Sequence, residues 1–423
     1  MRVLERGTGD YDNALRALAR RGDEDLRRVE PQVREILDAV ARDGDRALRA
    51  LAERYDGGAP TRLALDREDC ARAFDALEPA AARALSHAAA RIRAFHEAQR
   101  EEGLTFTDGD GVTLGWRCRP LERCGVYAPG GKARYPSSVL MAAIPARVAG
   151  VREVFLATPR PTALLLAAAH LADVDRVFDV GGAQAVGALA YGTETVPAVD
   201  KIVGPGNLYV ACAKKLVFGR VAVDGIAGPS ELLVVCDESA SADVAAADLL
   251  SQAEHDEDAY PLAVVLTRAQ AQSLVASVER RLRALPREAI ARRSVEAHGY
   301  VFVTGDREEA LRVASRLAVE HVSLQVSRPE EALEALGPAG AVFLGGHTPE
   351  AAGDYLAGPS HVLPTGGAVR FGSPLGVYDF VVRSSVIRYT PEALRHHAED
   401  ITLLARLEGL EGHALAVEAR TRG

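Results

Sequence analysis

The chain has five cysteines, Cys70, Cys118, Cys124, Cys212 and Cys236, and no two of them form a C-x-x-C pair. Scattered thiols exclude a thiolate metal site and a disulfide framework, and fit reduced cysteines in a cytosolic protein. Long hydrophobic runs are also missing. The longest apolar stretch, residues 163–169, is far too short to cross a bilayer. The opening residues MRVLERGTGDYDNALRAL hold no apolar segment, so no secretory signal is expected and the expected location is cytoplasmic. Positive charge is not in excess. A net charge of −9 argues against nucleic acid and anionic membranes as main partners.

Lysine and asparagine are scarce. Of 50 basic residues only Lys132, Lys201, Lys214 and Lys215 are lysine, and only Asn13 and Asn207 are asparagine. A GC-rich genome accounts for the scarcity. It does not account for the position, since every lysine and one of the two asparagines fall between 132 and 215. Chance clustering of solvated lysines is one reading. A need for ammonium and amide groups that arginine cannot replace is the other.

What is present is a core-forming chain. At 423 residues and 48% hydrophobic it can bury a large interior, over about two to three domains. The first 100 residues carry apolar positions at helical spacing, as in PQVREILDAVARDGDRALRALAERY. Short β-branched runs then alternate with helical segments in two series. The first includes VREVFLATP, DRVFDVG and DKIVGPG. The second runs from LLVVCD through PLAVVLTR, GYVFVTG and HVSLQV to AGAVFLG. Two such series predict an α/β fold of two Rossmann-like units with mainly parallel sheets. SHVLPTGGAVRFGSPLGVYDF reads as a long ordered loop, and the last 35 or so residues read as helical.

Four polar clusters sit near turns or at the ends of apolar runs. Gln252 and His255 are spaced i, i+3 and share one face of a helix, where an amide oxygen and an imidazole can hold a metal or a polar ligand. Glu320 with His321, Asp354 with His361, and Glu408 with His413 are the others. Taken singly, each is also what a solvated helix end or corner looks like. Two glycine-rich turns, at Gly181-Gly182 and at Gly204-Pro205-Gly206, depart from G-x-G-x-x-G yet can expose N–H groups to an anion at a helix start. Glycine is also required there for turn conformation alone.

The motifs together are more specific. CGVYAPGG from Cys124, VGGAQAVGALAYGT, DKIVGPGNLYVACAKK, IAGPSELL, SQAEH, the Glu320-His321 pair, AGDYLAGPSHVLPTGGAVRF, SPLGVYDF and the final EGLEGH occur in this order. The chain thereby resembles the histidinol dehydrogenases, which end histidine biosynthesis, almost from end to end. The resemblance implies a four-electron oxidation of L-histidinol to L-histidine through histidinal, with two NAD⁺ and one Zn²⁺ per subunit, Mn²⁺ being an alternative.

The resemblance also implies roles. The metal ligands correspond to Gln252, His255, Asp354 and His413, a set with no thiolate that suits Zn²⁺ or Mn²⁺. Glu320 and His321 correspond to the acid–base pair. His321 would take the alcohol proton, and Glu320 would activate the water that adds to the aldehyde. Substrate contacts correspond to Ser230, His361 and Glu408, beside the metal ligands and His321. NAD contacts correspond to Tyr127, Gln184 and Asn207. Three positions depart from the family pattern: Val319, Val322 and Ser360. The first two are expected to affect packing, and Ser360 the orientation of His361.

The family architecture implies an N-terminal helical segment (1–22), a discontinuous Rossmann-like domain (23–126 and 232–375), an inserted NAD-contacting domain (127–231) and a C-terminal dimerisation segment (376–423). The C-terminal segment would complete the metal site of the other chain in a homodimer. A metal-dependent hydrolase using the same His/Asp/Gln set without nicotinamide is the alternative reading, with a non-catalytic binding module behind it.

Overall fold

The computed structural model describes residues 1–19, 21, 25–130 and 135–421. Lys132 lies outside the described residues. The chain divides into two compact units. One comprises residues 1–99 and 122–380, the other residues 100–121 and 381–423.

The larger unit holds two six-stranded sheets. The first has β1 (Arg2–Glu5), β10 (Glu231–Cys236), β11 (Tyr260–Val265), β12 (Tyr300–Val303), β13 (His321–Gln325) and β14 (Ala341–Leu344), in the order β1-β12-β11-β10-β13-β14. Every pairing in it is parallel. β10 and β13 are buried along their whole length; ELLVVC accordingly reads as a near-continuous apolar run, whereas HVSLQ alternates because His321, Ser323 and Gln325 are polar groups held inside. The second sheet has β2 (Ala64–Leu65), β5 (Arg123–Tyr127), β6 (Glu153–Ala157), β7 (Arg176–Phe178), β8 (Lys201–Val203) and β9 (Ala222–Val223), in the order β2-β7-β6-β5-β8-β9. Only the short edge strand β2 runs antiparallel. The two parallel sheets with helical crossovers are the architecture expected from the alternating runs.

Each sheet has its own core, and these cores group the chain differently from the expected segments. The N-terminal residues Tyr11, Leu15 and Leu18 pack on Leu233, Leu262 and Phe302 of the first sheet, where β1 also pairs. Residues 1–18 are therefore part of that layer, strand included, rather than a separate helical segment. Val29, Val33, Ile36 and Leu37, from the long helix Asp25–Tyr55, pack on Phe155 and Phe178 of the second sheet. The apolar stripe of that helix thus completes the core of 123–223, not that of 232–344.

The smaller unit contains an antiparallel sheet of β3 (Leu104–Thr107), β4 (Thr113–Pro120) and β15 (Val381–Arg388), in the order β15-β4-β3, and the helices Pro391–Leu407 and Glu411–Thr421. The C-terminal helices were expected. The three strands were not, and their residues are largely exposed, so no buried face imposes an alternating pattern on the sequence.

Candidate active site

In both sheets the strand order reverses next to a central strand. In the second sheet the reversal lies between β5 and β8, and a ligand crevice is expected beyond the carboxyl ends of such strands. Tyr127 is the last residue of β5, and the turn Gly204–Asn207 follows β8. Gly204 has φ +110°, and a Cβ there would lie 2.2 Å from the Tyr127 carbonyl oxygen, so only glycine fits where the two strand ends converge. Lys214 is buried and donates to the Gly204 carbonyl (2.5 Å) and to Asp224 (2.6 Å), which fastens this turn. Lys201 likewise donates to Asp379, at 2.8 Å. These two lysines are thus internal anchors.

The three residues expected to touch NAD each lie at or beyond the carboxyl end of a strand of this sheet: Tyr127 on β5, Gln184 after β7 and Asn207 after β8. Tyr127 Oη accepts from the Gly182 N–H (3.1 Å), and burial pushes the phenol up to about 12. Gln184 is buried and donates to Asp56 (3.1 Å). Asn207 caps the helix Leu208–Val217, its side-chain oxygen accepting from the N–H groups of Tyr209 and Val210.

The acid–base candidates lie at the opposite kind of edge, the amino end of the first sheet. His321 opens β13 and Glu231 opens β10. The backbone N–H of Glu231 donates to Glu320 Oε2 (2.9 Å), and that of Glu320 donates back to Glu231 Oε2 (3.2 Å). Arg21 binds Glu231 through both oxygens, at 2.5 and 2.6 Å, and the Gly366 N–H adds a third contact at 2.9 Å. This buried, fully paired carboxylate holds two strand ends and the 360–380 loop together.

His321 Nδ1 lies 3.0 Å from the Glu231 carbonyl oxygen. A carbonyl only accepts, so the proton sits on Nδ1 and Nε2 keeps its lone pair. Burial lowers the imidazole to about 4, which keeps it neutral near pH 7. Burial also lifts Glu320 well above the usual carboxylate range, assisted by the charges of Glu231, Asp354 and Glu350 and opposed by its backbone hydrogen bond.

Beside this pair stands a cluster of donors. Gln252 is 1% exposed, in the last turn of the helix Ala242–Ala253, and neither its Oε1 nor its Nε2 has a hydrogen-bond partner among the described residues. An unpaired buried amide costs about 1–3 kcal/mol, so its persistence points to a ligand. His255 Nε2 is 3.8 Å from Asp354 Oδ2. His361 Nδ1 donates to the Asp354 carbonyl oxygen (3.1 Å) and lies 3.6 Å from Oδ1. Burial acts to raise the Asp354 carboxyl, but its hydrogen bond from His361 and the fields of His361, His321 and His255 together bring it below its ordinary value. The expected pairing of Asp354 with His361 is therefore present. Ser138 Oγ, near the start of the helix Pro136–Ala149 that follows β5, lies 3.4 Å from His361 Nε2. That contact joins the two sheet edges.

Two residues of the site were not anticipated. Glu350 is buried, accepts from Ser251 Oγ (3.0 Å), and has Oε1 4.0 Å from His321 Nε2. Its donor atom lies within 4.8 Å of those of His255 and Asp354. Burial first, and then the Asp354 charge, raise its carboxyl. The available signal was two like charges at i, i+4 in PEAAGDY, an unfavourable spacing unless something else requires it. Glu231 was the other, a lone carboxylate at the head of an apolar strand.

Ser230 is half-buried just before β10, with its carbonyl accepting from the Tyr260 N–H (2.9 Å). Ser360 Oγ donates to the Met141 carbonyl and accepts from the Val362 N–H, fixing the backbone on both sides of His361. Val319 and Val322 are core residues, as expected of them. Glu408 and His413 belong to the smaller unit, at the end of the helix Pro391–Leu407 and in the helix Glu411–Thr421, and both are exposed.

A glycine turn at one switch point, with a buried histidine–carboxyl pair and a donor cluster at the edge of a second sheet, marks a two-sheet α/β enzyme equipped for proton transfer. The sequence profile described as histidinol dehydrogenase matches residues 19–421. The histidinol dehydrogenase of Syntrophotalea carbinolica is 50% identical, with 100% of this chain and 99% of that protein covered. That of Aquifex aeolicus is 49% identical, with 99% of each covered. The crystal structure of histidinol dehydrogenase from Elizabethkingia anophelis superposes with a TM-score of 0.93 at 32% identity, covering 100% of this chain and 98% of that one. The chain belongs to the histidinol dehydrogenase family, as the motifs suggested, and is an oxidoreductase of histidine biosynthesis. That membership sets aside the hydrolase and the binding module. Among the described residues no helix is long and apolar enough to cross a membrane.

Proposed function

We propose that this chain oxidises L-histidinol to L-histidine through histidinal, passing two hydrides to two NAD⁺, in the cytoplasm and as a homodimer. The observation that carries the reading is the Gln252 amide, buried and without a partner among the described residues, three positions before His255, whose Nε2 is 3.8 Å from Asp354 Oδ2. A divalent ion fits there. Its donors would be Gln252 Oε1, His255, Asp354 and His413 of the partner subunit, a mixed oxygen and imidazole set suited to Zn²⁺ or Mn²⁺. When bound, the ion would fix the substrate's imidazole and amino nitrogens. NAD would lie at the β5/β8 crevice against Tyr127, Gln184 and Asn207 and accept the hydride.

The protein's own groups divide the proton work. His321 presents a neutral Nε2 and takes the hydroxyl proton as hydride leaves carbon in the first oxidation. Burial sustains that neutral form at some cost in basicity. Glu320, once ionised, is a stronger base than a solvated carboxylate because of the same burial, and it activates the water that adds to the aldehyde. Ser230 and His361, with Glu408 of the partner subunit, orient the substrate. The test is stoichiometric: purified protein with limiting histidinol and excess NAD⁺ should form two NADH per histidinol at 340 nm. One NADH with accumulated histidinal, or none, would overturn the reading.

A further inference from the structure

A second set of metal-competent side chains lies in the smaller unit. Asp110 sits in the turn between β3 and β4, where Asp108 Oδ1 accepts from the N–H groups of Asp110 (3.0 Å) and Val112 (2.9 Å) and so fixes the loop. His396 and His397 lie in the helix Pro391–Leu407. His397 Nε2 is 3.2 Å from Asp110 Oδ2, and His396 Nε2 is 4.0 Å from Asp110 Oδ1. One donor atom from each of the three lies within 4.8 Å of the others. Around a tetrahedral ion with bonds of about 2.0–2.1 Å, donors stand roughly 3.3 Å apart, so small side-chain rotations close this set on a cation. Tyr389 Oη is 3.2 Å from His397 Nδ1. A hydrogen bond at the far ring nitrogen orients a ligating imidazole and leaves Nε2 for the ion.

We propose that Asp110, His396 and His397 form a binding site for a divalent transition metal, completed by water. Two imidazoles and one carboxylate select Zn²⁺, Ni²⁺ or Co²⁺ over Mg²⁺ or Ca²⁺. Its effect would be structural. Among the described residues of this unit, the buried hydrophobic side chains are Val112, Ala393, Ala405 and Ala414, a thin core. Small units with thin cores gain most from a cross-link, and this one would tie a hairpin tip to a helix 287 residues away in sequence.

The experiment counts metal on the full-length protein by calorimetric titration with Zn²⁺, and by the visible bands of Co²⁺, after chelation and desalting. Wild-type protein should bind two ions per chain. A Gln252→Ala/His255→Ala chain should keep one, and that ion should raise its thermal midpoint. Adding His396→Ala and His397→Ala should remove it, and Asp110→Asn, an exposed change that spares the fold, should weaken it at least about tenfold. Circular dichroism confirms that each chain is folded. A Gln252→Ala/His255→Ala chain that binds no ion would overturn the proposal. So would a His396→Ala/His397→Ala chain that binds as many ions as wild type. A wild-type chain binding one ion, lost only with His396 and His397, would support this site and refute the metal assignment at Gln252.

Discussion

Replacing Gln252 with methionine should stabilise the metal-free protein while crippling its response to metal. The side chain is 1% exposed and neither of its polar atoms has a partner among the described residues. Removing such a group relieves a desolvation penalty of about 1–3 kcal/mol, while methionine has similar length and helix propensity. For a chain of 423 residues, unfolding entropy near the midpoint is of order 0.9 kcal/mol per kelvin, from about 2 cal/mol/K per residue. A gain of about 2 kcal/mol therefore raises the midpoint by about 2 °C. The variant loses one donor, so its metal-induced shift should shrink well below that of wild type. Scanning calorimetry of both proteins, first in chelator and then across a Zn²⁺ titration, reads the two effects separately. If Gln252→Met melts below wild type in chelator, the amide is not an unpaired group held for a ligand. If both proteins gain equally from metal, Gln252 is not a donor.

His321 supplies a pH signature. Its imidazole falls from about 6.5 unfolded to about 4 folded, so the stability tied to the neutral ring is fully present above about pH 6.5 and is lost as pH falls towards 4. Over that window about 3 kcal/mol is at stake, and urea midpoints of chelated wild type should fall more steeply from pH 7 to 5 than those of His321→Asn; parallel slopes would refute the burial argument. Glu320→Gln should slow histidinal oxidation far more than histidinol oxidation, whereas His321→Asn should slow both by about 10²-fold; equal slowing of both steps by Glu320→Gln would remove the division of labour. Mixing inactive His255→Ala and His413→Ala chains under subunit exchange should restore one working site per mixed dimer. Silence there, with exchange shown independently, would mean that each chain builds its own site.

The legible parts of this protein are those where one physical constraint acts alone. β10 is buried on both faces, so ELLVVC announces itself as an apolar run, whereas the equally buried β13 reads HVSLQ, an alternation that by itself suggests a half-exposed strand. Gln252 with His255 and Asp354 with His361 were visible because polar groups sat next to buried segments. The β3–β4–β15 sheet was not legible, since its exposed strands follow no buried face. Nor could pattern show that the stripe on Asp25–Tyr55 docks on the second sheet, because an amphipathic face records that it is covered and not by what. Arg21 and Glu231, 210 residues apart, form a buried ion pair that local spacing cannot reveal. The lysine cluster was informative in an unforeseen way: Lys214 anchors the turn at Gly204 from inside.

The crevice belongs to the core around Phe155 and Phe178, and the acid–base edge to the core around Leu233 and Phe302. With the sites as proposed, substitutions that alter dinucleotide preference near Gly204–Asn207 and those that alter substrate preference near Gln252 would perturb different interiors. Their free-energy effects should add to within about 0.5 kcal/mol, and the two preferences can drift or be redesigned separately. Additivity should break where Ser138 meets His361, at 3.4 Å across the two layers. A double-mutant cycle on that pair would measure how strongly one half of the reaction senses the other.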